Sequence, residues 1–287
     1  MSTLGQSVVT YGRMIKFSHT VFALPFALAA TVLAAQEHGW SWVDLGLIVI
    51  CMVAARTAAM GFNRIADRDI DAANPRTADR ALPSGAISLT RAWVFTAGSA
   101  VVFCLASWAL SWLCLALSPV VLAMVMGYSL TKRFTALCHL FLGLALALAP
   151  ICAWVAIGDT VSATALLLGG IVGTWVAGFD ILYACQDADY DRGVGLHSIP
   201  AKLGLRGAMA VSIGLHVVTA GLLCALPVVA GLSWPYWIGF AAISAILVWE
   251  HWILRPNDLS RMNKAFFTAN STISILFIGA VLAASWL

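Results

Sequence analysis

The chain has 287 residues, 61% apolar and only 10% charged, a balance that a water-soluble domain of this length does not carry. So large an apolar supply excludes a disordered or low-complexity chain, and a net charge of +3 gives no broad basic face for nucleic acid. What remains is a protein whose solvent is a lipid bilayer.

A hydrocarbon core about 30 Å thick requires about 20 mostly apolar residues per spanning helix, and about nine such runs lie between polar breaks. They fall near 18–36, 42–63, 92–111, 114–130, 137–157, 161–182, 207–230, 235–253 and 265–286. The expected fold class is all-α, a polytopic membrane bundle. The first run, with Arg13 and Lys16 before it and Ala34 and Ala35 near its end, has the outline of a signal peptide, but eight further runs favour a first membrane span. The joint between Trp108 and Ser118 is nearly as apolar as the helices it separates.

Charge placement is consistent with this division. Of sixteen Lys and Arg, all but Arg56 lie at the N-terminus (Arg13, Lys16) or after even-numbered runs. These are Arg64, Arg68, Arg76, Arg80 and Arg91 after the second, Lys132 and Arg133 after the fourth, Arg192, Lys202 and Arg206 after the sixth, and Arg255, Arg261 and Lys264 after the eighth. The alternate connections carry only Glu37, Asp44 and Asp159 as charges, so the positive-inside rule places the N-terminus and the long loops in the cytoplasm. Trp40, Trp42, Trp112, Trp234, Trp237 and Trp286 gather at the opposite ends, as an interfacial belt does. Seven cysteines show no C-x-x-C pair and sit almost entirely in apolar stretches, which reads as small buried hydrophobes rather than a disulfide or zinc framework.

The acidic residues are not spread evenly. Eight of the thirteen lie in two short segments, Asp67, Asp69, Asp71 and Asp79 after the second run and Asp180, Asp187, Asp189 and Asp191 after the sixth. Asn63, Asp67 and Asp71 stand at i, i+4 and i+8, which on a continuing helix puts them on one face. Like charges so stacked repel, and a divalent cation against the stripe relieves the repulsion. In the second segment Asp180, Asp187 and Asp191 fall at i, i+7 and i+11, with Tyr183 and Ala184 between. Each cluster leads into a basic loop with a Pro, LPSG at 82–85 and HSIPAKLG at 197–204, so a single domain over 1–287 reads as two loosely repeated halves, about 1–135 and 136–287.

Carboxylates beside a surplus of basic residues suit a diphosphate, with Mg²⁺ bridging carboxylate and phosphate oxygens and guanidinium groups holding the outer ones. Arg64, Arg68, Arg76, Arg80, Lys132, Arg133, Arg192 and Lys202 form that surplus, although each also serves the topology rule and the clusters can be solvated loops whose charges pair off. Arg56, seven residues before Asn63, lies inside the second run, where an ionised side chain is costly and usually functional. It suits the carboxylate of a small acidic substrate or an Asp on a facing helix, and the first is favoured. His19 and His197, lone histidines near membrane ends, read as structural, and Asn270 and Ser274 inside the last run read as interhelical hydrogen-bonding groups.

At these residues the sequence resembles the UbiA superfamily of intramembrane aromatic prenyltransferases. N-x-x-x-D-x-x-x-D stands as Asn63, Asp67 and Asp71, and D-x-x-Y-A-x-x-D-x-x-x-D as Asp180, Tyr183, Ala184, Asp187 and Asp191. RTADRALPSG at 76–85 and YSLTKRFT at 128–135 are similar as well. The resemblance implies a helix bundle around a cytosol-facing cavity, an integral protein of the bacterial cell membrane. It further implies that Asn63, Asp67, Asp71, Asp187 and Asp191 hold Mg²⁺ and act in catalysis. Arg56, Lys16, Arg68, Arg76, Arg80, Lys132, Arg133, Asp180, Tyr183, Arg192 and Lys202 are the implied substrate-binding residues, Arg56 for the aromatic acid and Lys16 for the diphosphate.

The implied reaction joins a polyprenyl diphosphate to the ring of a 4-hydroxybenzoate-type acid in quinone biosynthesis. IKFSHTVFALPFAL at 15–28 departs from the R-x-D-K-P-I-G form of ubiquinone-pathway members and is similar to a branch also linked to menaquinone made through futalosine, so a 1,4-dihydroxynaphthoate is the alternative acceptor. A secondary transporter is the rival from another class, but its charges belong at the midplane. A CDP-alcohol phosphotransferase is set aside because D-G-x-x-A-R is missing.

Overall fold

The computed structural model describes residues 10–12, 14, 23–39, 41–255, 258–262 and 265–285. In chain order these form α1 (Leu24–His38), α2 (Trp42–Ala66), α3 (Arg68–Ala73), α4 (Leu89–Leu110), α5 (Trp112–Thr131), α6 (Cys138–Gly158) and α7 (Ala163–Ala184). A 3₁₀ turn at Cys185–Asp187, α8 (Ala188–Gly193), α9 (Ile199–Ala230), α10 (Tyr236–Ile253), a π turn at Ala265–Ala269 and α11 (Asn270–Ser285) follow. Eight helices among the described residues are long and apolar enough to cross a membrane. The fifteen residues of α1 cover 24–36 of the first expected run. The protein is an all-helical integral membrane protein, as its composition predicts.

Local chemistry explains the boundaries. Ser88, Ser162 and Ser198 occupy extended backbone before α4, α7 and α9, and each hydroxyl accepts from the backbone N–H three residues on, satisfying a donor the helix leaves open. The nearly apolar joint is cut at Ser111, whose hydroxyl accepts from Cys114 N at 3.2 Å. Pro25 sits in the first turn of α1, where the missing N–H costs nothing. Two details depart from expectation. Segment 199–203, expected as loop, is a helical turn begun by Ser198, and Gly204 at φ 70° then kinks the chain before the membrane portion of α9. The last span begins with the π turn instead of a regular helix.

The chain forms two compact units, one of Met1–Thr20 and Gly46–Leu130, the other of Val21–Leu45 and Thr131–Leu287. In the first, Gly61 of α2 meets Thr96 of α4 so closely that a Cβ there collides with the Thr96 hydroxyl. Met14, Leu82, Ile87 and Ala92 pack with Met60, Ile65 and Phe95, which anchors the loop after α3 against the helices. The second unit is a ring in which each helix touches the next, in the order α7, α6, α1, α11, α10, α9 and back to α7. Phe26, Trp175 and Phe277 fill its middle, with Phe26 stacked on Phe277 at 4.3 Å. On α6 and α7, Gly143 and Gly173 let the backbones touch, because a Cβ on Gly143 runs into the Gly173 carbonyl.

Polar groups also lie inside this ring. His216 Nδ1 is 2.9 Å from His251 Nε2, and its Nε2 lies 3.3 Å from the Trp175 carbonyl. Glu250, 1% exposed, approaches His216 Nδ1 at 3.9 Å. Asn270 Nδ2 bonds Phe266 O while its side chain faces Glu250, and Ser274 turns back to Asn270 O. Asn270 thus meets a neighbouring helix, as expected for an interhelical hydrogen-bonding group.

Outside the two cores the helices expose apolar side chains, as a lipid-facing surface does. Trp42, Trp112, Trp234 and Trp237 are exposed at helix ends, while Trp40 and Trp286 lie outside the described residues. All seven cysteines are free.

Candidate active site

Each acidic motif builds its own cluster, the first in one unit and the second in the other. Asp67 interrupts the helix between α2 and α3, yet the i, i+4 bonding continues. Asp67 N bonds Asn63 O at 2.9 Å and Asp71 N bonds Asp67 O at 2.7 Å, so Asn63, Asp67 and Asp71 stay in helical register. Asn63 Nδ2 donates to Asp67 Oδ2 at 3.3 Å and to Ser129 Oγ of α5 at 3.2 Å. Asp67 and Asp71 are buried, at 3% and 5% exposure.

Guanidinium groups answer the Asp71 charge. Arg80 NH1 donates to Oδ1 and Oδ2 at 2.7 Å each, and Arg64 NH1 lies 3.8 Å from Oδ2. Arg64 is itself buried and its Nε donates to Met14 O at 3.1 Å. The Arg80 position follows from the folded loop. Thr77 N and Ala78 N bond Asn74 O, the Thr77 hydroxyl donates to Asp71 O, and Ile87 N closes onto Ala81 O. The repulsion expected along the stripe is thus relieved in part by arginine. Deeper in α2, Arg56 is half-buried with Tyr128 of α5 in electrostatic range.

In the second motif the 3₁₀ turn tightens the chain between Asp180 and Asp191. Asp180 Oδ2 is 2.7 Å from His139 Nδ1 on α6. Asp187 and Asp191 are half-buried. Asp191 has Ser198 as a side-chain hydrogen-bond partner, with Asp187, Lys132 and His139 in electrostatic range. Tyr183 packs its ring on Phe266 at 4.4 Å. The segment before α9 is stitched to the α5–α6 connection, because His197 N donates to Lys132 O at 2.8 Å and Cys138 Sγ to His197 O at 3.4 Å.

The other basic candidates are more exposed. Arg68 pairs with Asp69 at 2.8 Å, and Arg192 with Asp189 at 3.0 Å and the Ala201 carbonyl at 3.3 Å. Arg76, Arg133 and Lys202 are exposed, and Lys16 lies outside the described residues.

Both motifs offer oxygen donors, which suit a hard cation such as Mg²⁺ and not a soft metal. Among the described residues no three His, Cys, Asp or Glu side chains gather to hold a metal ion by themselves. Mg²⁺ commonly keeps waters and substrate phosphates in its shell, so paired carboxylates fit a cation that arrives with a diphosphate. His139 and Ser129 meet their partners across 41 and 66 residues of sequence, a separation at which spacing carries no signal, whereas Ser198 stands close in the chain to Asp191, within the HSIPAKLG segment.

Comparison with known proteins bears on the same residues. The profile of the UbiA prenyltransferase family matches residues 23–283, both motifs included. The chain belongs to the UbiA prenyltransferase family. It is an enzyme of the prenyltransferase class. It is 31% identical over 237 residues to the 4-hydroxybenzoate octaprenyltransferase of Aliivibrio fischeri (strain MJ11), covering 83% of this chain and 82% of that protein. The 4-hydroxybenzoate octaprenyltransferase of Burkholderia mallei (strain NCTC 10247) is 30% identical over 226 residues, 78% of each chain. Among solved structures, a UbiA homolog from Aeropyrum pernix K1 superposes with a TM-score of 0.84 at 35% identity, covering 94% of this chain and 98% of that one. A UbiA homolog from Archaeoglobus fulgidus bound to GPP and Mg²⁺ shares the fold, with a TM-score of 0.71 at 20% identity over 97% of this chain and 100% of that one.

Proposed function

We propose that the enzyme transfers a polyprenyl group from its diphosphate to the ring of an aromatic acid of the 4-hydroxybenzoate type, in quinone biosynthesis. The observation that carries the reading is the registered stripe of Asn63, Asp67 and Asp71 among Arg64 and Arg80, in a chain 31% identical to a 4-hydroxybenzoate octaprenyltransferase. Asn63, Asp67, Asp71, Asp187 and Asp191 are the residues to hold Mg²⁺, as in the A. fulgidus homolog's bound state a protein of this fold takes GPP with Mg²⁺. When bound, Mg²⁺ supplies positive charge to the oxygens of the departing diphosphate.

The chain's own residues do the rest. Arg68, Arg76, Arg80, Lys132, Arg133, Arg192, Lys202 and Lys16 neutralise the diphosphate as its bond to the allylic carbon weakens, which is preorganised electrostatic stabilisation. Asp180 and Tyr183 line the substrate side of the second motif. Arg56 holds the carboxylate of the acid, so that the ring carbon activated by the hydroxyl faces the cation. The membrane helices keep water from that cation, and the prenyl tail lies among lipids. The N-terminus and active site face the cytoplasm, and 1–287 acts as one domain of two related halves. A 1,4-dihydroxynaphthoate is the second acceptor to test, favoured by IKFSHTVFALPFAL at 15–28, and Arg56 serves either acid.

The deciding experiment supplies the purified protein with Mg²⁺, prenyl diphosphates of several lengths, and each acid in turn, and reads product mass. Prenylated 4-hydroxybenzoate is the expected product. Prenylation of the dihydroxynaphthoate alone moves the enzyme to the alternative pathway, and no prenylated acid of either kind overturns the proposal.

A further inference from the structure

We propose that His139 is a positioning residue for prenyl transfer, aiming the Asp180 carboxylate of the second motif. The inference rests on the functional reading given above for Asp180. His139 opens α6 and is 3% exposed, and its two ring nitrogens face different elements. Nδ1 lies 2.7 Å from Asp180 Oδ2 on α7, and Nε2 accepts from Ile199 N–H at 3.4 Å at the start of α9. That second contact assigns the tautomer. A nitrogen that accepts from a backbone N–H holds its lone pair, so the ring proton sits on Nδ1 and is donated to Asp180.

Fixed at both nitrogens, the ring cannot turn. Its donor therefore orients one carboxylate oxygen, while 27% side-chain exposure leaves Asp180 open toward a substrate. The reach is short because α6 and α7 touch one turn further on, where Gly143 meets the Gly173 carbonyl. The same imidazole lies in electrostatic range of Asp191, and its Ile199 contact secures the strap whose Ser198 bonds Asp191. One buried ring thus joins the first Asp of the motif to the support of the last. A side chain that orients a ligating group through a hydrogen bond typically alters activity about 10- to 100-fold when it is removed.

The test is a double-mutant cycle on the purified full chain with Mg²⁺, a prenyl diphosphate and the aromatic acid that the parent prenylates. His139→Leu removes the donor while filling the space, and should lower kcat/KM about 10- to 100-fold. Asp180→Asn should lower it comparably, and the double variant should be no slower than Asp180→Asn alone. His139→Asn, whose amide N–H can stand where Nδ1–H stood, should regain most of the loss. Thermal unfolding of each variant separates positioning from support of the fold, since the Asn rescue should track kcat/KM and not Tm. Parental turnover by His139→Leu, multiplied effects in the double variant, or equal loss in His139→Asn overturns the inference while leaving the functional reading intact. A parent that prenylates no acid overturns the functional reading, and this inference with it.

Discussion

The two acidic motifs look alike in sequence and are supported differently. In the first, Asp71 is clamped by the Arg80 guanidinium with Arg64 close by, its side chain 7% exposed, on a helical register that passes through Asp67 without loss. In the second, Asp180 meets a histidine at 27% side-chain exposure, and a 3₁₀ turn separates it from half-buried Asp187 and Asp191. The difference teaches that Asp71 is closed into a buried arginine pair, while Asp180 is more open and is met by a single histidine. A carboxylate lost from the first should cost structure as well as turnover. One lost from the second should cost turnover.

The largest expected effect is on chemistry. Asp67→Asn and Asp187→Asn should each lower kcat about 10²- to 10³-fold or more, measured as prenylated product per enzyme, because under the proposed function each removes a carboxylate that holds the Mg²⁺ serving the leaving diphosphate. Parental rates in either variant break the symmetry of function assigned to the motifs. Next comes the stability contrast. Asp71→Asn leaves two arginines, one of them buried, without their carboxylate, a change that costs about 3–5 kcal/mol for a buried pair. Thermal unfolding in detergent should show that loss for Asp71→Asn and little change for Asp191→Asn, and equal Tm values erase the distinction.

A smaller effect belongs to the polar groups within the second unit's ring. Glu250→Ala strips His216 and Asn270 of a buried neighbour and should destabilise by about 1–3 kcal/mol, whereas Glu250→Gln, which keeps the shape and a polar head, should lose less. Equal losses show that the carboxylate itself, and neither shape nor a polar head, is what matters there. Removing Mg²⁺ with a chelator should stop turnover and leave Tm unchanged, because the carboxylates are suited to a cation that comes with its substrate. A fall in Tm identifies a resident ion instead. Arg68→Ala, which breaks only an exposed pair with Asp69, should leave Tm unchanged, and any loss of activity reports on the diphosphate.

Much of this was legible in the sequence because its causes are repetitive. Spanning helices require long apolar runs, and the helix limits at Trp42, Cys138, Ala163 and Tyr236 fall within a few residues of those runs. Asn63, Asp67 and Asp71 reveal their shared face by spacing alone. Contacts made between distant segments leave no such trace. His139 meets Asp180 across 41 residues of sequence, and Asn63 meets Ser129 across 66. Three arginines follow α2 closely, Arg68, Arg76 and Arg80, yet only the folding of residues 74–87 decides that Arg80, and not Arg76, closes on Asp71. The early start of α9 was obscured by Pro200 and Gly204, since a capped first turn tolerates the proline and the kink at the glycine separates that turn from the apolar run.

The claim on which all else depends is that both motifs serve the diphosphate, and binding measures this without chemistry. Titration of the purified chain with a non-ionising prenyl thiolodiphosphate, with and without Mg²⁺, should show Mg²⁺-dependent affinity in the parent and its loss in Asp67→Asn and in Asp187→Asn alike. Parental affinity in either variant, or affinity in the parent indifferent to Mg²⁺, contradicts it.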